Sequence, residues 1–275
     1  MLRGRAGRGR RVRYDQGVIE LRSTAEIEAM RPAGRFVAEV LTELATHVAP
    51  GVSLLELDGV AHAMIRDRGA ASCYIDYHPS FGASPFGKVI CTSVNDAVLH
   101  GKPYDYTLAD GDLLSLDLAV SQGGVVADSA ISFIVGESKP PESVAMISAT
   151  ERALYAGIAA AGPGARTGDI SHAIGSTLRE AGYPISTEFG GHGVGSTMHQ
   201  DPHVSNTGRP GRGYRLRPGL LLALEPWVME DTAELITDAD GWTLRSATGC
   251  RTAHSEHTIA ITSDGAEILT LPRRP

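Results

Sequence analysis

Five polar residues stand alone in apolar or glycine-rich stretches: Asp117 in LLSLDLAV, Asp128 in GVVADSAISF, His192 in GGHGVG, Glu225 in LLLALEPW and Glu256 in AHSEHTIAI. An unpaired carboxylate in a buried strand costs several kcal/mol or changes its protonation state. Four carboxylates and an imidazole in such settings call for a shared cause, and divalent metal supplies it by neutralising the cluster with oxygen-rich coordination. The set exceeds the protein ligands of a single catalytic zinc. It suits two ions roughly 3.5–4 Å apart, with bridging carboxylates and a bridging water. Hydroxide formed at neutral pH beside a polarised carbonyl makes hydrolysis the expected chemistry.

The elements that position these residues follow from periodicity. Residues 113–133 read as a β-hairpin; with Gln122-Gly123 as its two-residue loop, Asp117 and Asp128 lie directly opposite, Cβ atoms about 5 Å apart, where like charges repel unless a cation lies between. Pro226 stops regular pairing just after Glu225. Glu256 and His257 alternate, so they point to opposite faces and His257 reads as structural; His254 shares the Glu256 face without a signal of its own. Capping boxes at Ser23–Glu26 and Ser53–Glu56 start two helices, the first with a kink or late start expected at Pro32 and the second ending at Gly69.

The pattern then recurs. Pro50-Gly51, Leu57, Ile65-Arg66-Asp67 and Gly69 return 113 residues later as Pro163-Gly164, Ile170, Leu178-Arg179-Glu180 and Gly182. LADGDLLSLD (108–117) returns 108 residues later as LRPGLLLALE (216–225). An internal duplication follows, with Asp117 and Glu225 facing each other across its axis.

Bulk properties narrow the class. At 275 residues and 42% hydrophobic, the chain can bury one large core or two packed halves. No apolar run approaches the roughly 18 residues of a membrane span. Cys73, Cys91 and Cys250 lack CxxC spacing, which points to a reducing, cytoplasmic setting. Net charge is −7, but the first 13 residues hold six Arg and no acid; the remaining 19 basic and 32 acidic residues give −13, with no nucleic-acid signature. The segment 1–17 lacks the apolar region of a secretory signal and reads as a basic, disordered leader, either a ribosome-facing arm or residues upstream of a true start near Val18. Residues 18–275 form a single catalytic domain, with halves at about 18–137 and 138–275.

In order, SVNDAVLHG around His100, the Asp117/Asp128 pair, GGHGVGSTMHQDP, LALEPW, DGWTLR and SEHTIAIT resemble the type I methionine aminopeptidase family over about residues 18–272. The resemblance implies an α+β pita-bread fold: a curved antiparallel sheet flanked by helices, in two pseudo-symmetric halves. It implies that Asp117 chelates one of two divalent ions (Co, Mn, Fe or Zn), that Asp128 and Glu256 bridge both, and that His192 and Glu225 complete the other. Glu225 would help deprotonate the bridging water, His100 would contact the substrate amide, and His199 would stabilise the oxyanion. Cys91, Phe86 and Trp242 would line an apolar methionine pocket. Two departures stand out: Met198 precedes His199 where an aromatic is usual, and residues 81–85 do not match the usual tyrosine-bearing segment. Prolidases and aminopeptidase P carry a large N-terminal domain, and type II enzymes carry an insertion where only 32 residues separate His192 from Glu225 here. The implied activity is removal of the initiator methionine, before a small second residue, from nascent proteins by a cytoplasmic monomer. A same-fold aminopeptidase of Xaa-Pro or broad specificity is the alternative.

Overall fold

The computed structural model describes residues 10–14, 17–79, 82 and 84–272. Two short strands, β1 (Arg10–Tyr14) and β2 (Gly17–Leu21), pair antiparallel ahead of the first helix. Part of the segment expected to be an unstructured leader is therefore a strand. Its arginine count obscured Val12 and Tyr14, which alternate with arginine as in a strand. Residues 1–9, 15 and 16 lie outside the described residues.

Helix α1 (Thr24–His47) begins at the expected capping box: Ser23 N donates to Glu26 Oε2 at 2.7 Å, and Glu26 N donates to Ser23 Oγ at 3.3 Å. It runs through Pro32, so the expectation of a late start is corrected: the cap satisfies the first turn whatever happens later. Helix α2 (Leu54–Arg68) has the same box at Ser53 and ends on Gly69 at φ +68°. The chain continues through β3 (Ala71–Ser72), β4 (Cys91–Val94), β5 (Ala97–Leu99), β6 (Leu113–Gln122) and β7 (Val125–Ile134). Two more helices follow, α3 (Pro141–Ala160) and α4 (Thr167–Glu180). The remaining strands are β8 (Gly190–Gly193), β9 (Gln200–Ser205), β10 (Leu221–Leu224), β11 (Trp227–Met229), β12 (Leu235–Thr237), β13 (Leu244–Ser246), β14 (Thr252–His254), β15 (Glu256–Ile261) and β16 (Ala266–Ile268).

Nine strands make the main antiparallel sheet, in the order β3-β6-β7-β15-β10-β8-β9, with β4 also on β6 and β16 also on β15. Its centre is the β7–β15 seam, where Glu256 pairs with Ala130 and His257 with Ser129. Each half brings two helices to the sheet. Leu44, Leu54, Leu57, Leu116 and Leu118 are in one buried cluster, and Leu154, Ile170, Leu178, Leu222 and Ile259 are in its counterpart. At the edge of α1, Gly34 lets Leu269 approach closely: a Cβ there would lie 2.4 Å from the Leu269 carbonyl oxygen.

The β6–β7 hairpin differs from expectation by its register. Its loop is Gly123-Gly124, at φ +64° and +80°, and Gln122 pairs with Val125. Two consecutive positive φ angles favour two glycines over Gln-Gly, which selects this turn. Asp117 is consequently opposite Ala130, and Asp128 is opposite Ala119. The two aspartates share a face as diagonal rather than direct neighbours.

Candidate metal centre

Strand registers gather the five isolated polar residues. Asp117 on β6 and Glu256 at the head of β15 both flank Ala130 of β7, from opposite sides. His192 on β8 pairs with Ala223 of β10, two residues before Glu225. One ligand atom each from Asp128, His192 and Glu256 lies within 4.8 Å of the others. His192 Nε2 is 3.6 Å from Glu225 Oε1. All five line one cavity of about 380 Å³.

The electrostatics of this cluster are severe. Burial, opposed by the Tyr74 hydrogen bond, raises the Asp117 carboxyl to about 6. Burial and the Asp117 charge raise Glu225 to about 8. Asp128 and Glu256 are pushed well above the usual carboxylate range, first by burial and then by their acidic neighbours. Among the described residues that line the cavity there is no Lys or Arg, so the wall offers no fixed positive charge. His192 is lowered by burial to about 3, so its imidazole is neutral. Its Nδ1 lies 2.9 Å from the Gly193 carbonyl oxygen, which accepts an N–H there and leaves the Nε2 lone pair toward Glu225. Buried hard oxygens without a counter-charge, plus one neutral imidazole, fit divalent cations.

His100 and His199 also line the cavity. His100 follows β5 with φ +55°, an uncommon left-handed backbone for a non-glycine residue, and packs edge-on to Phe189 at 5.5 Å. Burial, then the neighbouring His199, lowers His100 to about 4. His199 meets His192 edge-on, ring centroids 4.4 Å apart, and its Nδ1 is 3.0 Å from the Tyr77 hydroxyl.

Beside the histidines lies an aromatic and sulfur-lined slot. Cys91, Phe86 and Trp242 are all in it, with Met198 beside them. Phe86 stands edge-on to Trp242 at 5.2 Å and to Tyr74 at 5.7 Å, and Trp242 Nε1 donates to Ser84 O at 3.0 Å. Of the segment 81–85, residues 81 and 83 lie outside the described residues.

Two tyrosines escaped the sequence reading. The Tyr74 hydroxyl donates to Asp117 Oδ1 at 2.7 Å and reaches Asp128 Oδ1 at 3.4 Å. Tyr77 holds His199. Both lie on irregular chain between β3 and β4, where no periodicity marks a facing direction; the short spacing of two tyrosines was the one available signal.

The sequence signature of metallopeptidase family M24 matches residues 28–263. The chain is similar to methionine aminopeptidase 1 of Mycobacterium tuberculosis, 42% identical over 271 residues, covering 96% of this chain and 97% of that one. It superposes on the crystal structure of the Thermotoga maritima methionine aminopeptidase with a TM-score of 0.87 at 35% identity, covering 92% of this chain and 99% of that one. A prolidase from Pyrococcus furiosus shares the fold alone, with a TM-score of 0.73 at 19% identity, covering 92% of this chain and 66% of that one. The chain belongs to metallopeptidase family M24. Within that family it aligns along nearly its whole length with methionine aminopeptidases.

Proposed function

We propose that the chain removes the N-terminal methionine from peptides, using two divalent ions of the Mn, Fe, Co or Zn type. The observation that carries this reading is the convergence of four carboxylates, two buried and two half-buried, and a neutral imidazole on a cavity whose described wall holds no Lys or Arg and opens beside an aromatic slot. Asp117 would hold one ion, His192 and Glu225 the other, and Asp128 and Glu256 both. Such ions supply the charge that lowers the pKa of water and polarises a carbonyl. The protein groups do the rest. Glu225, ionised when cations occupy the cluster, would take the proton of the attacking water. With the Tyr77 hydroxyl 3.0 Å from Nδ1, His199 would accept that O–H, keep its own proton on Nε2 and offer it to the carbonyl oxygen as negative charge develops there. His100 contacts the amide at the bond to be cut. Cys91, Phe86, Trp242 and Met198 take the unbranched thioether.

Substrates would be the N-terminal segments of nascent proteins with a small second residue, met in the cytoplasm by a monomer near the ribosome. The three free cysteines support a reducing compartment, and no helix among the described residues is long and apolar enough to cross a membrane. The test is turnover of Met-Ala-Ser after chelation and re-addition of single metals, against an Xaa-Pro peptide. Activity restored by a divalent metal on Met-Ala-Ser supports the reading. Preference for Xaa-Pro, or full activity without metal, overturns it.

A further inference from the structure

The two halves of the sheet match position by position at the site. In the first half Asp117 pairs with Ala130, and Ala119 with Asp128. In the second, Leu224 pairs with His257 and Trp227 with His254; the same register carried past Pro226 sets Glu225 opposite Glu256. The seam between the halves repeats the symmetry. Thr258 Oγ1 donates to Asp128 O at 2.8 Å and accepts from Asp128 N at 2.9 Å. Reciprocally, Ser132 Oγ donates to His254 O at 2.6 Å and accepts from His254 N at 2.9 Å. Asp117 thus corresponds to Glu225, Ala130 to Glu256, and Asp128 to His254.

His254 therefore stands where the first half places one of the clustered carboxylates. Its ring faces the same cluster, with Nε2 4.0 Å from Glu256 Oε2. The residue is 2% exposed, and among the described residues neither its Nε2 nor the buried Glu256 Oε1 has a hydrogen-bond partner. The other members of the cluster have polar neighbours at shorter range. Asp117 and Asp128 share the Tyr74 hydroxyl, His192 binds the Gly193 carbonyl, and Glu225 lies against His192. Groups behind a metal ligand aim it and set its basicity, and His254, 4.0 Å from Oε2, is placed to do so for Glu256.

We propose that His254 is a positioning residue for Glu256: once cations are bound, its imidazole would close the 4.0 Å gap, donate Nε2–H to Oε2 and leave Oε1 free for the cations. The inference rests on the reading of the cluster as a metal centre. The experiment titrates Mn(II) into chelator-stripped full-length protein by calorimetry and compares wild type with His254→Leu, His254→Gln and His254→Asn. His254→Gln keeps an N–H donor at about the reach of Nε2; the other two do not. We expect His254→Leu and His254→Asn to lose about tenfold or more in Mn(II) affinity, and His254→Gln to recover most of it. The thermal midpoint of the stripped His254→Leu protein should hold or rise, because an unpartnered buried donor is gone. Wild-type affinity in both His254→Leu and His254→Asn, or equal losses in all three variants, would overturn the assignment. Wild-type protein that neither binds Mn(II) nor cleaves Met-Ala-Ser would instead overturn the metal-centre reading itself.

Discussion

The Tyr77 hydroxyl lies 3.0 Å from Nδ1 of His199 while the same imidazole meets His192 at 4.4 Å between ring centroids. One face of His199 is thus tied to an irregular segment after β3, the other to the candidate metal cluster. Tyr77→Phe keeps the ring and removes the hydroxyl, freeing His199 to change tautomer. A net hydrogen bond is worth about 1 kcal/mol, or about fivefold in rate. Steady-state kinetics on Met-Ala-Ser should show that fall in kcat with KM within about twofold. An unchanged kcat would remove Tyr77 from the mechanism.

Asp117→Ala and Glu256→Ala each take a carboxylate from a cluster that has none to spare. Both variants should lose bound metal, read by elemental analysis after dialysis, and at least about a hundredfold in turnover. Normal turnover in either would contradict the two-ion assignment.

Removing metal should make stability depend on pH in a way that restoring it abolishes. Buried His100, His192 and His254 titrate at about 4, 3 and 3 in the folded protein, so they add stability as pH rises toward their ordinary value near 6.5. The carboxylates act in the opposite sense. Asp117 is raised to about 6 and Glu225 to about 8, so the folded state binds more protons than the unfolded one, and stability falls as pH rises through that range. The two effects oppose each other below about pH 6.5, and above it only the carboxylates remain. Chelated protein should therefore lose stability from pH 6.5 to 8, Glu225 contributing on the order of 1 kcal/mol per pH unit. Urea unfolding across that range, with and without Mn(II), checks it; a flat chelated profile would contradict the raised carboxylates.

Gly34→Ala tests the fold apart from the chemistry. Its Cβ would fall 2.4 Å from the Leu269 carbonyl oxygen, so α1 must move off the strand end. We expect a loss of about 1–3 kcal/mol in urea unfolding, with Mn(II) affinity of the folded fraction unchanged.

The clustered carboxylates were legible because charge inside an apolar strand is costly, and the helices because capping boxes are local. The β6–β7 register was missed by one step on each strand: alternation shows which residues share a face, but not which two of Gln122, Gly123 and Gly124 form the turn. Tyr74 and Tyr77 were missed because they sit on irregular chain. His254 was passed over for a different reason. Its neighbours alternate normally along the strand, and its place in the site depends on Ser132, 122 residues away on β7.

The site also straddles the seam. Asp117 and Asp128 come from the first half of the chain, and His192, Glu225 and Glu256 from the second, while β7 and β15 share only the pairings at Ala130/Glu256 and Ser129/His257. Neither half alone can assemble the centre. A cation held by residues from both sides would act as a cross-link, closing a loop of 64 residues between Asp128 and His192, and longer ones to Glu225 and Glu256, without a covalent bond. The folded protein would then be hardest to unfold when it is also chemically competent.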